Sequence, residues 1–104
     1  MRRYTTPTIE VTVEGVDLTG CEVYVTLWQQ GTEVTTQPGA NDVAYDGADT
    51  TITVAYSQEQ TARLVEGHAR MQVNWLDADG ARNATDSAVV QVTGNLLGRV
   101  VSHA

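Results

Sequence analysis

The sequence predicts an all-β protein: an antiparallel β-sandwich of about seven strands with one short helix. Three observations lead there. Thr and Val dominate the composition, and both are β-branched, stiff at χ1 and suited to a pleated surface. Apolar and polar residues alternate with period two along most segments. Gly and Asp turn signals separate those segments at short intervals, with no strand–helix–strand alternation that would imply a parallel sheet.

The elements follow in order. From Pro7 to Gly15, Ile9, Val11 and Val13 share one face while Glu10, Thr12 and Glu14 share the other, the pattern of a half-buried strand. Gly15 breaks it, and Val16 and Leu18 are apolar enough to close the end of a core. From Glu22 to Gln30, Val23, Val25 and Leu27 oppose Tyr24, Thr26 and Trp28. Bulk on both faces suggests a central strand or a covered outer face. Gly31 supplies the positive φ of a hairpin turn, and Glu33 to Gln37 returns as a short polar strand ended by Pro38-Gly39. A further short strand is expected over Asp42–Asp46, with Val43 and Tyr45 inward. Thr50 to Tyr56 follows, with Ile52, Val54 and Tyr56 in phase.

Ser57 with Gln60 three residues on is a capping-box pattern. It predicts a short helix over Gln58–Val65, with Ala62, Leu64 and Val65 available for burial and Gly67 ending it. His68 to Leu76 is the longest strand, with Ala69, Met71, Val73 and Trp75 in phase. Asp77-Ala78-Asp79-Gly80 turns the chain. Asn83 to Val92 returns as one strand with Ala88, Val90 and Val92 in phase. The domain is thus expected over 1–95. The segment 96–104 is an apolar C-terminal tail carrying Leu96, Leu97, Val100 and Val101, either a final strand or a contact between subunits.

Length fits a single domain. The formal net charge is −7, and Lys is absent, so every basic side chain is Arg. An acidic surface repels phosphate backbones, which disfavours nucleic-acid partners. No apolar run approaches the ~18 residues of a membrane span, and Arg2-Arg3 is not followed by the apolar stretch of a secretory signal. Synthesis in the cytoplasm is the expectation.

Assembled chemistry is not legible. The one Cys, Cys21, has acidic neighbours that disfavour a thiolate, so it reads as a small structural side chain. Asp77 and Asp79 fall short of the six to eight oxygens Ca²⁺ takes, and Arg82 follows closely. His68 lies on the polar phase of a strand and His103 in the tail, neither near a nucleophile motif. Asn83-Ala84-Thr85 matches a glycosylation acceptor, a pattern common by chance. No catalytic, cofactor-binding or metal-ligating residue is therefore nominated. The aromatics divide: Trp75 is in phase with Met71 and Val73, which favours the core, whereas Trp28 is in phase with Tyr24 and is expected on an outer face. Core or inter-subunit packing is the favoured reading of the set over a sugar platform.

Four blocks carry a resemblance: Tyr4 to Ile9, Tyr45 to Ile52, Gln58 to Thr61, and Val73 to Gly80. Together they resemble a family of small proteins encoded in structural-gene regions of prophages from Gram-positive bacteria. The resemblance runs from near the N-terminus to Asn95-Leu96-Leu97, and it rests on turn and core residues. It implies an immunoglobulin-like sandwich and a role in the virion or its tail, and it implies no catalytic residues. The expectation is a non-enzymatic phage structural protein acting through protein–protein contacts, with itself or with other phage structural proteins. Trp28, Leu96, Leu97, Val100 and Val101 are the candidate contact residues. The alternative is a carbohydrate- or receptor-binding β-sandwich module.

Overall fold

In the computed structural model, residues 1–18, 20–36 and 50–102 are described. Among them the chain forms seven strands and one helix: β1 (Thr8–Val13), β2 (Glu22–Gln29), β3 (Thr32–Thr36), β4 (Thr50–Ala55), α1 (Gln58–Ala62), β5 (Gly67–Leu76), β6 (Arg82–Ala84) and β7 (Ala88–Val92). The strand expected over Asp42–Asp46, with Tyr45, lies outside the described residues, as does His103.

Two antiparallel sheets share the strands. β1 pairs with β4, and the second sheet runs β3-β2-β5-β6, with β7 also on β5. The chain changes sheet between β1 and β2, between β3 and β4, and again between β4 and β5. The alternation read from the sequence now has a destination. Val13, Ile52 and Val54 from the smaller sheet, with Tyr56 just past the end of β4, bury against Val23, Val25, Leu27, Val34, Ala69, Met71, Val73 and Val92 from the larger one. Leu18 and Leu64, from the connections, are fully buried and join the core. The protein is therefore an all-β, sandwich-like fold.

Hairpin chemistry fixes the register of the larger sheet. Gln29 pairs with Thr32, leaving Gln30 (φ 48°) and Gly31 (φ 88°) as a two-residue turn with both φ positive. That is the turn type whose twist matches the flanking strands. Across β5 and β6, Leu76 pairs with Arg82. Asp77 N donates to Ala81 O at 3.0 Å, and Gly80 takes the left-handed position at φ 86°.

Two local readings need correction. The helix ends at Ala62 and not at Val65. Its capping box is present, with Gln60 N donating to Ser57 Oγ at 3.2 Å and Ser57 N to Gln60 Oε1 at 2.9 Å. Thr61 and Leu64 are the buried residues here, while Val65 is half exposed. The cause is Gln29. Its buried amide accepts from Val65 N at 2.8 Å and donates to Val65 O at 2.7 Å. That pair pulls residue 65 out of the helical path and onto the end of β2.

The return over Asn83–Val92 is two strands, not one. Both lie on the same side of β5, β6 against residues 74–76 and β7 against residues 67–71. Between them Thr85 N donates to Val73 O at 2.9 Å, and Thr85 Oγ1 accepts from Val73 N at 3.1 Å. A side-chain hydroxyl thus takes the place of a backbone partner where the ladder is broken. Beyond β7 the chain start completes the edge. Arg2 bridges Thr93 in parallel, with Thr93 N to Met1 O at 2.7 Å and Arg3 N to Thr93 O at 2.9 Å.

Candidate interaction surface

One end of the sandwich gathers residues 1–7, the segment 56–66 and the segment 93–102. Thr61 fastens the first two: its hydroxyl accepts from Thr5 N at 3.1 Å and donates to Thr5 O at 2.9 Å. Arg3 donates to Ala62 O at 2.8 Å, and Asn95 Nδ2 to Arg3 O at 3.2 Å. Residues 96–102 form no strand. They are nevertheless held, because the Gln58 side chain donates to Val101 O at 2.6 Å and accepts from Val101 N at 2.9 Å. Leu97 N caps onto Asn95 Oδ1 at 3.1 Å.

The backbone of the segment is fixed while its apolar side chains stay out. Leu96 is fully exposed, and Leu97, Val100 and Val101 are each exposed by 42–47%. Four side chains that would rather leave water are thus presented in a set geometry. Of the residues singled out in the sequence, these four come together. Trp28 stands apart, 50% exposed on the outer face of β2, paired with Glu33 and Arg70.

The outer face of the larger sheet forms a second feature. An open groove of about 430 Å³ is lined by Tyr24, Thr26, Asn74, Trp75, Leu76 and Arg82, among others. Period two puts Tyr24, Thr26, Asn74 and Leu76 on the face opposite the core. Trp75, read as a core residue, packs against the core while half-buried. Tyr24 hydroxyl donates to Glu22 Oε2 at 3.1 Å. This bond and the Glu22 charge raise the phenol above its ordinary pKa. Arg82 reaches Asn74 Oδ1 at 3.3 Å and 3.4 Å. Sequence reasoning placed Tyr24 on an outer face but missed the groove. Its shape depends on the register of β2 against β5 and on the β6 pairing, neither of which periodicity reveals.

Charge is divided between the two ends. Four of the six Arg in the chain, Arg2, Arg3, Arg63 and Arg99, belong to the end that carries residues 93–102, beside Glu59 and Glu66. The opposite end comprises residues 14–18, 20–22 and 76–82, joined by the Glu22–Leu76 and Leu76–Arg82 pairs. It carries Glu14, Asp17, Glu22, Asp77 and Asp79 against Arg82. No acidic residue follows Asp86.

The turn at that acidic end shows what its carboxylate does. Asp77 Oδ1 accepts from Asp79 N at 3.0 Å and from Ala81 N at 2.9 Å. Asp77 thereby holds the loop shape, the local side-chain to backbone bonding that makes Asp a turn residue. Among the described residues, no three His, Cys, Asp or Glu gather as a metal-binding group. Cys21 is half-buried against the core, and His68 is exposed on β5. No helix among the described residues is long and apolar enough to cross a membrane.

No protein-family model matches the chain, and no curated protein matches it.

Proposed function

We propose that this protein is a non-enzymatic structural component of a phage or prophage particle, acting through protein–protein contacts within an immunoglobulin-like sandwich. The observation that carries the reading is the pinned segment 96–102, which presents Leu96, Leu97, Val100 and Val101 to solvent. Exposed apolar side chains on an ordered backbone favour a protein partner, because their burial recovers free energy with little further ordering cost. The resemblance of the Tyr4–Ile9, Tyr45–Ile52, Gln58–Thr61 and Val73–Gly80 blocks to prophage structural-region proteins is what suggests the phage setting.

The strand arrangement supports the immunoglobulin-like reading. β1-β4 on one side and β3-β2-β5-β7 on the other correspond to the B-E and C′-C-F-G strands of such a sandwich. Residues 1–3 beside residue 93, in parallel, suit a short first strand along the last one.

The reading is tested in a lysogen that expresses the tagged chain. After induction, particles are banded on a density gradient and the chain is quantified by mass spectrometry. Co-migration at a constant copy number per particle is expected. Its absence from banded particles and from assembly intermediates overturns the reading.

A second reading, a carbohydrate- or receptor-binding module, draws on the groove, where Tyr24 stands beside Asn74 and Arg82, and on exposed Trp28. A stacking ring with flanking polar groups suits a sugar. A glycan array with Tyr24→Ala and Trp28→Ala as controls decides it. Binding lost in either variant supports the module, and signal at background removes it.

A further inference from the structure

We propose that the protein associates head to tail with itself, the 96–102 segment of one copy seating in the β2/β5/β6 groove of the next. The proposal rests on the structural reading above and names its partner as a second copy of this chain. Three observations converge on it.

The first is that donor and acceptor lie at different places on one molecule. The apolar segment is at the end formed by α1 and residues 93–102, while the groove lies on the outer face towards the acidic end, around Tyr24, Asn74, Leu76 and Arg82. A contact between two different patches is heterologous, and it propagates from copy to copy unless the rotation closes a ring.

The second is fit. A groove of about 430 Å³ has room for two Leu-sized side chains; Tyr24, Trp75 and Leu76 are its apolar lining, beside polar Asn74, Glu33 and Arg82. Leu96 projects entirely into solvent and Leu97 stands beside it. Their backbone is already held by the Gln58–Val101 and Asn95–Leu97 bonds, so docking orders little that is not already ordered.

The third is charge. In a chain of formal charge −7, the stretch after Asp86 carries no acid and contains Arg99, and Arg2, Arg3 and Arg63 share its end. The receiving end carries Glu14, Asp17, Glu22, Asp77 and Asp79 against the single Arg82, which also lines the groove. Two like ends would repel, whereas unlike ends attract, so electrostatics selects head-to-tail over a symmetric dimer.

Sedimentation velocity of the full chain at low salt, over a range of concentrations, tests this. Species beyond the dimer are expected to grow with concentration. Leu96→Asp, at a fully exposed position, should weaken association ~10–100-fold. Thr26→Trp, which fills the groove from a strand position that accepts aromatics, should do the same. Tyr24→Ser replaces it if thermal melting shows that Thr26→Trp does not fold. Decisively, an equimolar mixture of the two variants should form a 1:1 complex that grows no further, because each retains one intact half of the contact.

A wild-type chain that stays monomeric up to about 500 μM, far above the micromolar range of standard interfaces, overturns the proposal. So does a closed dimer indifferent to Thr26→Trp, and so does a mixture that fails to complement. Particle co-migration is measured separately: a monomer found on particles would sink head-to-tail assembly while leaving the virion reading intact.

Discussion

Tyr56 is the residue whose placement in the core has a direct chemical consequence. Its ring completes the phase of Ile52 and Val54, as the alternation requires, and only 3% of the residue remains exposed. Its hydroxyl is buried with no hydrogen-bond partner among the described residues. Burial pushes the phenol up to about 12 from its ordinary 10.0. Because the folded state holds the proton more tightly, this contribution to stability is fully present below pH 10. It is lost as pH rises through about 12. The expected result is alkaline destabilisation across that window, followed by denaturant melts at successive pH values. Tyr56→Phe should flatten it and, at neutral pH, hold or raise the stability by up to ~1 kcal/mol, since an unpaired buried hydroxyl is removed. A loss of stability at neutral pH would contradict an orphaned hydroxyl. Gln29 is the opposite case. Its buried amide has both its donor and its acceptor satisfied by Val65, so Gln29→Ala should cost ~1–3 kcal/mol in the same melts by leaving two main-chain groups without partners. A cost near zero would mean that water replaces both bonds.

At the scale of elements, the sequence is most informative where side-chain period alone decides structure. The faces of β1, β2, β4 and β5 follow from alternation, and the Ser57–Gln60 capping box and the Gly31 turn follow from local chemistry. It is least informative where a distant side chain intervenes. The α1 end depends on Gln29, 36 residues from Val65, and no pattern in residues 58–65 encodes that. The division of β6 from β7 depends on Thr85 answering Val73 across the sheet, whereas the local alternation through Ala88, Val90 and Val92 is unbroken. The candidate surface divides the same way. The 96–101 apolar residues are visible in the sequence because nothing after Gly94 continues a strand pattern, while the groove emerges only when β2, β5 and β6 are set side by side. The Gln30-Gly31 turn supplies a test at this scale. Gly31 sits at φ 88° with open space where a Cβ would go, so Gly31→Ala meets backbone strain alone. A loss of ~1–2 kcal/mol is expected, read as a lower chemical-denaturation midpoint with an unchanged slope. An unchanged midpoint would mean the turn relaxes to another type at no cost.

The whole molecule is polarised in two respects at once. The apolar, Arg-bearing end and the acidic end are separated by the length of the sheets, in a body whose longest extent is 45 Å. That distance is several Debye lengths at ~0.15 M salt, where screening acts over ~8 Å. The two ends of one molecule therefore scarcely feel each other, and each is available to a neighbour at contact range. If unlike ends meet, the attraction is between exposed charges and must weaken with salt, whereas burial of Leu96 and Leu97 must not. Raising NaCl from about 20 mM to about 300 mM shortens the screening length roughly fourfold. The expected outcome is a several-fold weaker association that does not vanish, because the apolar part of the contact remains. Arg99→Glu separates the contributions: it should weaken association at low salt to a level near that of the wild type at high salt, and it should blunt further salt dependence. Leu96→Asp should instead weaken association by the same ~10–100-fold at both ionic strengths. If salt strengthens wild-type association, or if Arg99→Glu leaves it untouched at low salt, the charge division does not steer the contact. The exposed leucines would then have to supply its orientation as well as its free energy.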